Sequence, residues 1–417
     1  MLALFPDRAR IDAGRLSIDG VLAADLVRAH GSPLVVYDAE TLRAAARAYR
    51  AAAPGATVVY GTKAFPNVAV MRVLAAEGIG ADVSTLGELR FAQAAGIPGT
   101  DLVVHGNNKS DEELAAAATA GALVVLDSLE EIERARAAGI TRTLIRVTPG
   151  IEADTHEKIR TGHHGSKFGL TPEDSLEALR RAPGTEGLHV HIGSQLHDLS
   201  AARTAVAWIA SFAARARKET GWELRTLDLG GGLGVAATAG EHELSIAEFT
   251  AGLLDELARA TAQEGLASPA VVLEPGRSLT ARAGVTLYTV GSVKTSGDST
   301  AYVAVDGGMS DNPRPALYGA RYTALLADRA GEPAVRAYTV VGKHCESGDL
   351  LIESVELPEP RRGDVLAVPA TGAYTLAMSS TYNAVPRPAA VLLDGGEATV
   401  IRRRETIDDL LALESGT

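Results

Sequence analysis

The chain has 417 residues, a formal net charge of −12 and 46% hydrophobic residues, an ordinary globular balance with no basic stripe, which disfavours a nucleic-acid role. Its only cysteine, Cys345, excludes an intramolecular disulfide, and the apolar run from Met1 to Phe5 is too short for the core of a signal peptide. The longest small-apolar run, Leu114 to Leu126, is too short to span a bilayer, so the cytoplasm is the expected compartment.

Residues 1–33 read as an irregular lead-in, Leu34 to Tyr37 as a short strand, and Asp38 to Ala52 as an amphipathic helix with Asp38 as its N-cap. A rhythm then begins. Short β-branched runs recur at 57–62, 80–84, 101–105, 122–127, 142–148, 187–192, 225–230 and 269–274. Helical segments fill most of the gaps, at 67–77, 87–95, 111–120, 129–138, 172–181, 201–218 and 246–264. Such alternation predicts parallel strands with helical crossovers, and eight units fit a (β/α)8 TIM-type barrel; a doubly wound open sheet is the alternative. After residue 284 the helical periodicity stops. Strand-like runs at 285–293, 301–305, 336–341, 350–356, 364–369 and 389–401 predict an all-β domain, followed by a short helix over 405–413. The expected division is an α/β barrel at 34–283 and a β-domain at 284–417, with 1–33 contributing a strand to the latter.

In a barrel of this kind the chemistry lies at the C-terminal ends of the strands. Those ends carry Lys63, Asp82, His105, Asp127, Arg146, His191 with Ser194, Gly230-Gly231-Gly232, and Glu274-Pro275-Gly276-Arg277. A lysine closing a buried strand is costly unless it has a polar pocket, where it can form an imine with a carbonyl cofactor. Consecutive glycines let the backbone approach an anion, although a Gly-rich loop alone is as readily a tight turn. Glu274 could keep a pyridine nitrogen protonated, and the flat imidazole of His191 could stack on its ring. Together these residues describe a site for pyridoxal 5′-phosphate. In the second domain, Asp306 to Tyr318 reads as a long loop on which Arg314 and Tyr318 offer a fork and a hydroxyl to a carboxylate. Cys345 is either an inert thiol or, beside Glu346, a proton donor.

The sequence resembles the fold-type III pyridoxal phosphate decarboxylases almost end to end. The resemblance is carried by Tyr60-Gly61-Thr62-Lys63-Ala64, His105-Gly106-Asn107-Asn108-Lys109-Ser110, Ser166-Lys167-Phe168-Gly169, His191-Ile192-Gly193-Ser194-Gln195 and the glycine loop. It continues through Glu274-Pro275-Gly276-Arg277, Asp306-Gly307-Gly308-Met309, Cys345-Glu346-Ser347-Gly348-Asp349 and Gly372-Ala373-Tyr374. Phe65 departs from it, standing where many members have asparagine. The resemblance implies an alanine racemase-like barrel with a C-terminal β-domain. It further implies that Lys63 holds the cofactor as an imine, that His191 stacks on the ring and that Glu274 pairs with the ring nitrogen. Ser194, Gly231, Gly232, Gly276 and Tyr374 would bind or border the phosphate, with Arg277 beside them. Arg277, Arg314 and Tyr318 would grip the substrate's far carboxylate. Cys345 and Glu346 would complete the site of a partner subunit in a homodimer. The implied reaction is decarboxylation of meso-2,6-diaminopimelate at its D-centre, the last step of lysine biosynthesis, with no metal. Decarboxylation of ornithine, arginine, carboxynorspermidine or a carrier-bound amino acid, racemisation, and cofactor binding without turnover are the alternatives. Two guanidiniums would repel an amine-ended substrate, and an acid at the ring nitrogen argues against a racemase.

Overall fold

The computed structural model describes residues 1–149, 166–191, 193–296 and 300–415; Ile192, at the end of the expected sixth strand, lies outside these. The chain forms two compact units, one of residues 43–234 and 243–278, the other of residues 1–42, 235–242 and 279–417.

The first unit is a closed barrel of eight parallel strands: Thr57–Gly61, Gly80–Val83, Leu102–Val104, Leu123–Leu126, Thr143–Arg146, Gly187–His189, Thr226–Asp228 and Ala270–Leu273. Closure is made by the last strand on the first, with Val272 opposite Thr57 and Leu273 opposite Val58. Val59, Val103, Leu123, Val125, Leu144 and Val272 form one buried cluster. These β-branched and leucine side chains are the usual filling of a barrel interior. The expected helices form at 68–76, 86–95, 111–120, 129–137, 172–181, 200–220 and 246–263, and their starts are chemically marked. Asn67, Thr85, Ser110, Ser128, Thr171 and Ser245 each accept a backbone N–H as N-caps. Ser110 and Ser245 complete capping boxes with Glu113 and Glu248. The doubly wound alternative is thereby excluded.

The second unit is built on a mixed sheet whose long strand, Gly284–Ser296, pairs with Leu34–Asp38, Thr300–Val305 and Val365–Val368. Here the structure departs from the sequence reading in three places. The early strand Leu34–Asp38 joins this sheet and not the barrel: it is wholly buried and paired on both sides, with Gly284–Leu287 and with Ala389–Leu393. The lead-in before it is ordered as a separate three-stranded sheet and a helix, Ala23–His30. The single run at 389–401 is a hairpin, Ala389–Asp394 and Glu397–Arg402, because Gly395 and Gly396 both take positive φ and turn the chain. Asp38 does cap the following helix: its Oδ2 accepts the Thr41 N–H at 2.9 Å. Among the described residues no helix is long and apolar enough to cross a membrane.

Candidate active site

The first strand delivers Lys63 through a short turn. Thr62–Ala64 form one 3-10 turn, held by the Thr62 hydroxyl donating to the Asp82 carbonyl at 2.8 Å and the Tyr60 hydroxyl donating to the Phe65 carbonyl at 3.1 Å. Tyr60 and Phe65 are buried on either side, while Lys63 is exposed. Phe65 thus anchors the turn. Lys63 lines a cavity of about 270 Å³ with Asp82, His105, Arg146, His189, His191 and Glu274. Six of the eight strands or their following turns contribute to this cavity, whereas Asp127, Ser194, the glycine loop, Gly276 and Arg277 are not among its lining residues.

Glu274 sits at its centre, buried, with both carboxylate oxygens engaged. His105 Nε2 faces Oε1 in a short hydrogen bond, and His189 Nε2 faces Oε2 at 3.4 Å. Burial alone pushes the Glu274 carboxyl up, but the two imidazoles more than offset this and hold it well below the usual carboxylate range. Burial pulls His189 down to about 3, against the pull of Glu274, so its imidazole is neutral at physiological pH. Asp228 is pushed well above the carboxylate range by burial and then by the Glu274 charge, and the same causes in the same order raise Asp82 to about 7. The mouth therefore holds an ionised Glu274 on the same cavity as Lys63 and Arg146. His105, His189, Asp228 and Glu274 bring ligand-type atoms within 4.8 Å of one another, a set that could hold a metal ion. Both Nε2 atoms, however, face carboxylate oxygens at hydrogen-bonding distance, and a nitrogen that donates there has no lone pair for an ion.

The glycine loop positions His191. Gly231 N–H donates to His191 Nδ1 at 3.4 Å. A Cβ on Gly230, whose φ is +66°, would lie 2.6 Å from that same atom, and one on Gly231 would collide with the Glu274 carbonyl. A Cβ on Gly232, at φ +119°, would meet the Gly193 carbonyl at 2.7 Å. The loop is a close-approach surface, and no helix follows it until Ile246. Ser194 is half-buried on the turn after the sixth strand, Gly276 is buried, and Arg277 opens the short helix Arg277–Thr280. His191 lies two residues past its strand, which ends at His189. Burial first, then Lys63 and Arg146, hold its imidazole well below the usual value, leaving a neutral ring.

The remaining expected residues belong to the second unit. Arg314 is buried and not solvated at the surface; it opens a one-turn helix, Arg314–Tyr318, where the sequence suggested loop throughout. Its guanidinium lies 5.9 Å from the Tyr374 ring centre, and its Nε has no hydrogen-bond partner among the described residues. Tyr318 and Tyr374 are half-buried, Tyr374 at φ +60°. Cys345 and Glu346 are exposed. Their loop is pinned by Asp349, whose buried carboxylate accepts N–H groups from His344 at 2.8 Å and Met309 at 2.6 Å. Cys345 N–H donates to Asn383 Oδ1 at 3.0 Å, and the Tyr382 hydroxyl donates to Glu346 Oε2 at 3.4 Å.

Sequence reasoning gave no role to His189 or Asp228. His189 was legible in principle, since His189-Val190-His191 places two imidazoles at a two-residue spacing on one strand face. Asp228 carries a signal of its own, because an acid ending a buried strand is as unusual as Lys63.

The residues present fit pyridoxal phosphate: a lysine on the cavity wall, an ionised acid, a flat neutral imidazole and a glycine backbone surface open to close approach. Fold and site define a pyridoxal-dependent decarboxylase, and a family described as "Pyridoxal-dependent decarboxylase, pyridoxal binding domain" matches residues 39–281. A diaminopimelate decarboxylase of Actinosynnema pretiosum is 46% identical, over 99% of this chain and 95% of its own length. That of Bacillus subtilis is 40% identical, over 96% and 95%. A crystal structure of diaminopimelate decarboxylase from M. jannaschii in co-complex with L-lysine superposes with a TM-score of 0.90 at 32% identity, covering 97% of each chain. The chain belongs to the diaminopimelate decarboxylase family.

Proposed function

We propose that this protein decarboxylates meso-2,6-diaminopimelate at its D-centre to L-lysine and carbon dioxide, the last step of lysine biosynthesis, and that it does so in the cytoplasm as a homodimer. The observation that carries the reading is the meeting of Lys63, His191 and Glu274 on one cavity at the barrel mouth. Bound pyridoxal phosphate supplies a protonated ring that accepts the electron pair left when the carboxylate departs as carbon dioxide.

In this reading the Lys63 amine would hold the cofactor covalently, at the position a substrate amine would compete for. Glu274 keeps a negative charge against the ring nitrogen, and His191 offers its flat face to the ring. The N–H groups of Gly231, Gly232 and Gly276, the Ser194 hydroxyl and Arg277 bind the phosphate, with Tyr374 at its border. Arg314, with Arg277 and Tyr318, recognises the end of the substrate remote from the reaction, and Glu346 of the partner subunit joins them. The unpaired Nε–H of buried Arg314 supports this, because a buried guanidinium is stabilised when an anion completes its donors. Cys345, supplied by the partner subunit, donates the proton that replaces the departed carboxylate; its exposure in the single chain accords with a role outside its own subunit. The barrel is then the cofactor domain and the sheet unit the substrate-recognition domain.

The test is carbon dioxide release from meso-diaminopimelate, L-lysine, L-ornithine and L-arginine in the presence of pyridoxal phosphate. Release from diaminopimelate alone is expected. Release from ornithine or arginine but not diaminopimelate would overturn the substrate assignment.

A further inference from the structure

Glu274 would serve a bound cofactor only if it stays ionised in a site where burial favours its neutral form. Its surroundings are unusually specific. The rings of His105 and His189 stand edge to face with centroids 4.7 Å apart, each presenting Nε2 to a different oxygen of the same carboxylate. His189 is 1% exposed, and its Nδ1 has no partner among the described residues. That orphan fixes the tautomer. A proton on Nδ1 would be a buried donor with nothing to meet, and would turn the Nε2 lone pair against a carboxylate oxygen. A proton on Nε2 leaves only an unused acceptor and makes a charge-assisted bond.

We propose that His189 is a positioning residue that acts with His105 to keep Glu274 a carboxylate, each donating an Nε2–H to one oxygen. A carboxylate accepts about four hydrogen bonds, so two imidazole donors leave room for a ring N–H. Donors to the carboxylate make it the weaker base, and the shared proton then sits on the ring nitrogen. Without His189 the proton moves from the ring nitrogen to Glu274 and the electron sink is weakened. Asp228, Asp82, Arg146 and Lys63 also face this carboxylate, and their contributions remain in a His189 variant. The inference rests on Glu274 being the partner of the ring nitrogen.

Two variants test it. Glutamine can present its side-chain N–H near the Nε2 position, whereas leucine cannot. With 15N-labelled pyridoxal phosphate, the ring-nitrogen resonance of the wild type and His189→Gln should stay at the pyridinium position, and that of His189→Leu should move toward neutral pyridine. In His189→Leu kcat should fall about tenfold, the equivalent of one pKa unit, with KM changed less than about twofold, and His189→Gln should recover most of the loss. An unmoved resonance in His189→Leu, or no rescue by glutamine, overturns the proposal. Should His189→Leu not fold, imidazole 15N spectra of the wild-type apoprotein decide: a neutral ring protonated on Nε2 down to about pH 5 is expected. A ring protonated on Nδ1, or a cation at neutral pH, contradicts it. Failure of the broader functional reading would show separately, as a wild type that neither binds the cofactor nor releases carbon dioxide.

Discussion

Gly230 cannot gain a side chain without moving His191. A methyl group there would combine a left-handed backbone, φ +66°, with a 2.6 Å approach to His191 Nδ1. Gly230→Ala should weaken pyridoxal phosphate binding about tenfold or more, on the scale of 1–3 kcal/mol for such local strain, while the barrel stays folded. Spectrophotometric titration of the apoprotein checks this; an unchanged Kd would show that the loop does not set the imidazole. At this scale the sequence was informative where a residue type is chemically out of place. Lys63 and Glu274 stand out because charges rarely end buried strands. What the sequence could not supply was pairing. Nothing in the string says that His105, from the third strand, and His189, from the sixth, share one carboxylate from the eighth, since only barrel closure brings those ends together.

Lys109 ties three elements behind the site. Its buried ammonium donates to the Gly106 carbonyl at 2.8 Å, the Val125 carbonyl at 2.7 Å and the Glu131 carboxylate at 2.9 and 3.0 Å. Glu131 in turn accepts the Asp127 N–H at 2.8 Å. The turn that follows His105 is thus fastened to the fourth strand and to the helix Leu129–Ala137. Lys109→Met leaves Glu131 buried and uncompensated and should cost about 3–5 kcal/mol, read as a lower urea midpoint. Lys109→Met with Glu131→Leu should recover part of that loss, because removing both charges is far cheaper than removing one. Equal destabilisation in the single and double variants would contradict a coupled pair. The elements themselves were largely legible, because N-caps and alternating apolar runs are local signals. The hairpin at 389–402 was not, since its two glycines were read as part of one run. The placement of Leu34–Asp38 was not either: a short apolar strand carries no mark of which sheet it will join.

At the scale of the whole molecule, the proposed function builds each complete site from two chains. Cys345 and Glu346 stand exposed on a loop fastened from within by Asp349, and under the proposed function they complete the site of a partner subunit. Lys63→Ala and Cys345→Ala proteins should each be inactive. After mixing and subunit exchange, about one quarter of wild-type activity should return, because half the dimers are mixed and each has one intact site of two. No recovery, with exchange confirmed by mass, would place Cys345 in its own subunit's site or outside the chemistry.

The most direct measurement is to reduce the pyridoxal phosphate-loaded protein with borohydride, digest it and locate the pyridoxyl group by mass spectrometry. It should sit on Lys63 alone and fall sharply when the reduction is carried out with meso-diaminopimelate saturating the site, whose amine takes the lysine's place. A label on Lys109 or another lysine, or none on Lys63, would contradict the assignment of the barrel mouth as the cofactor site.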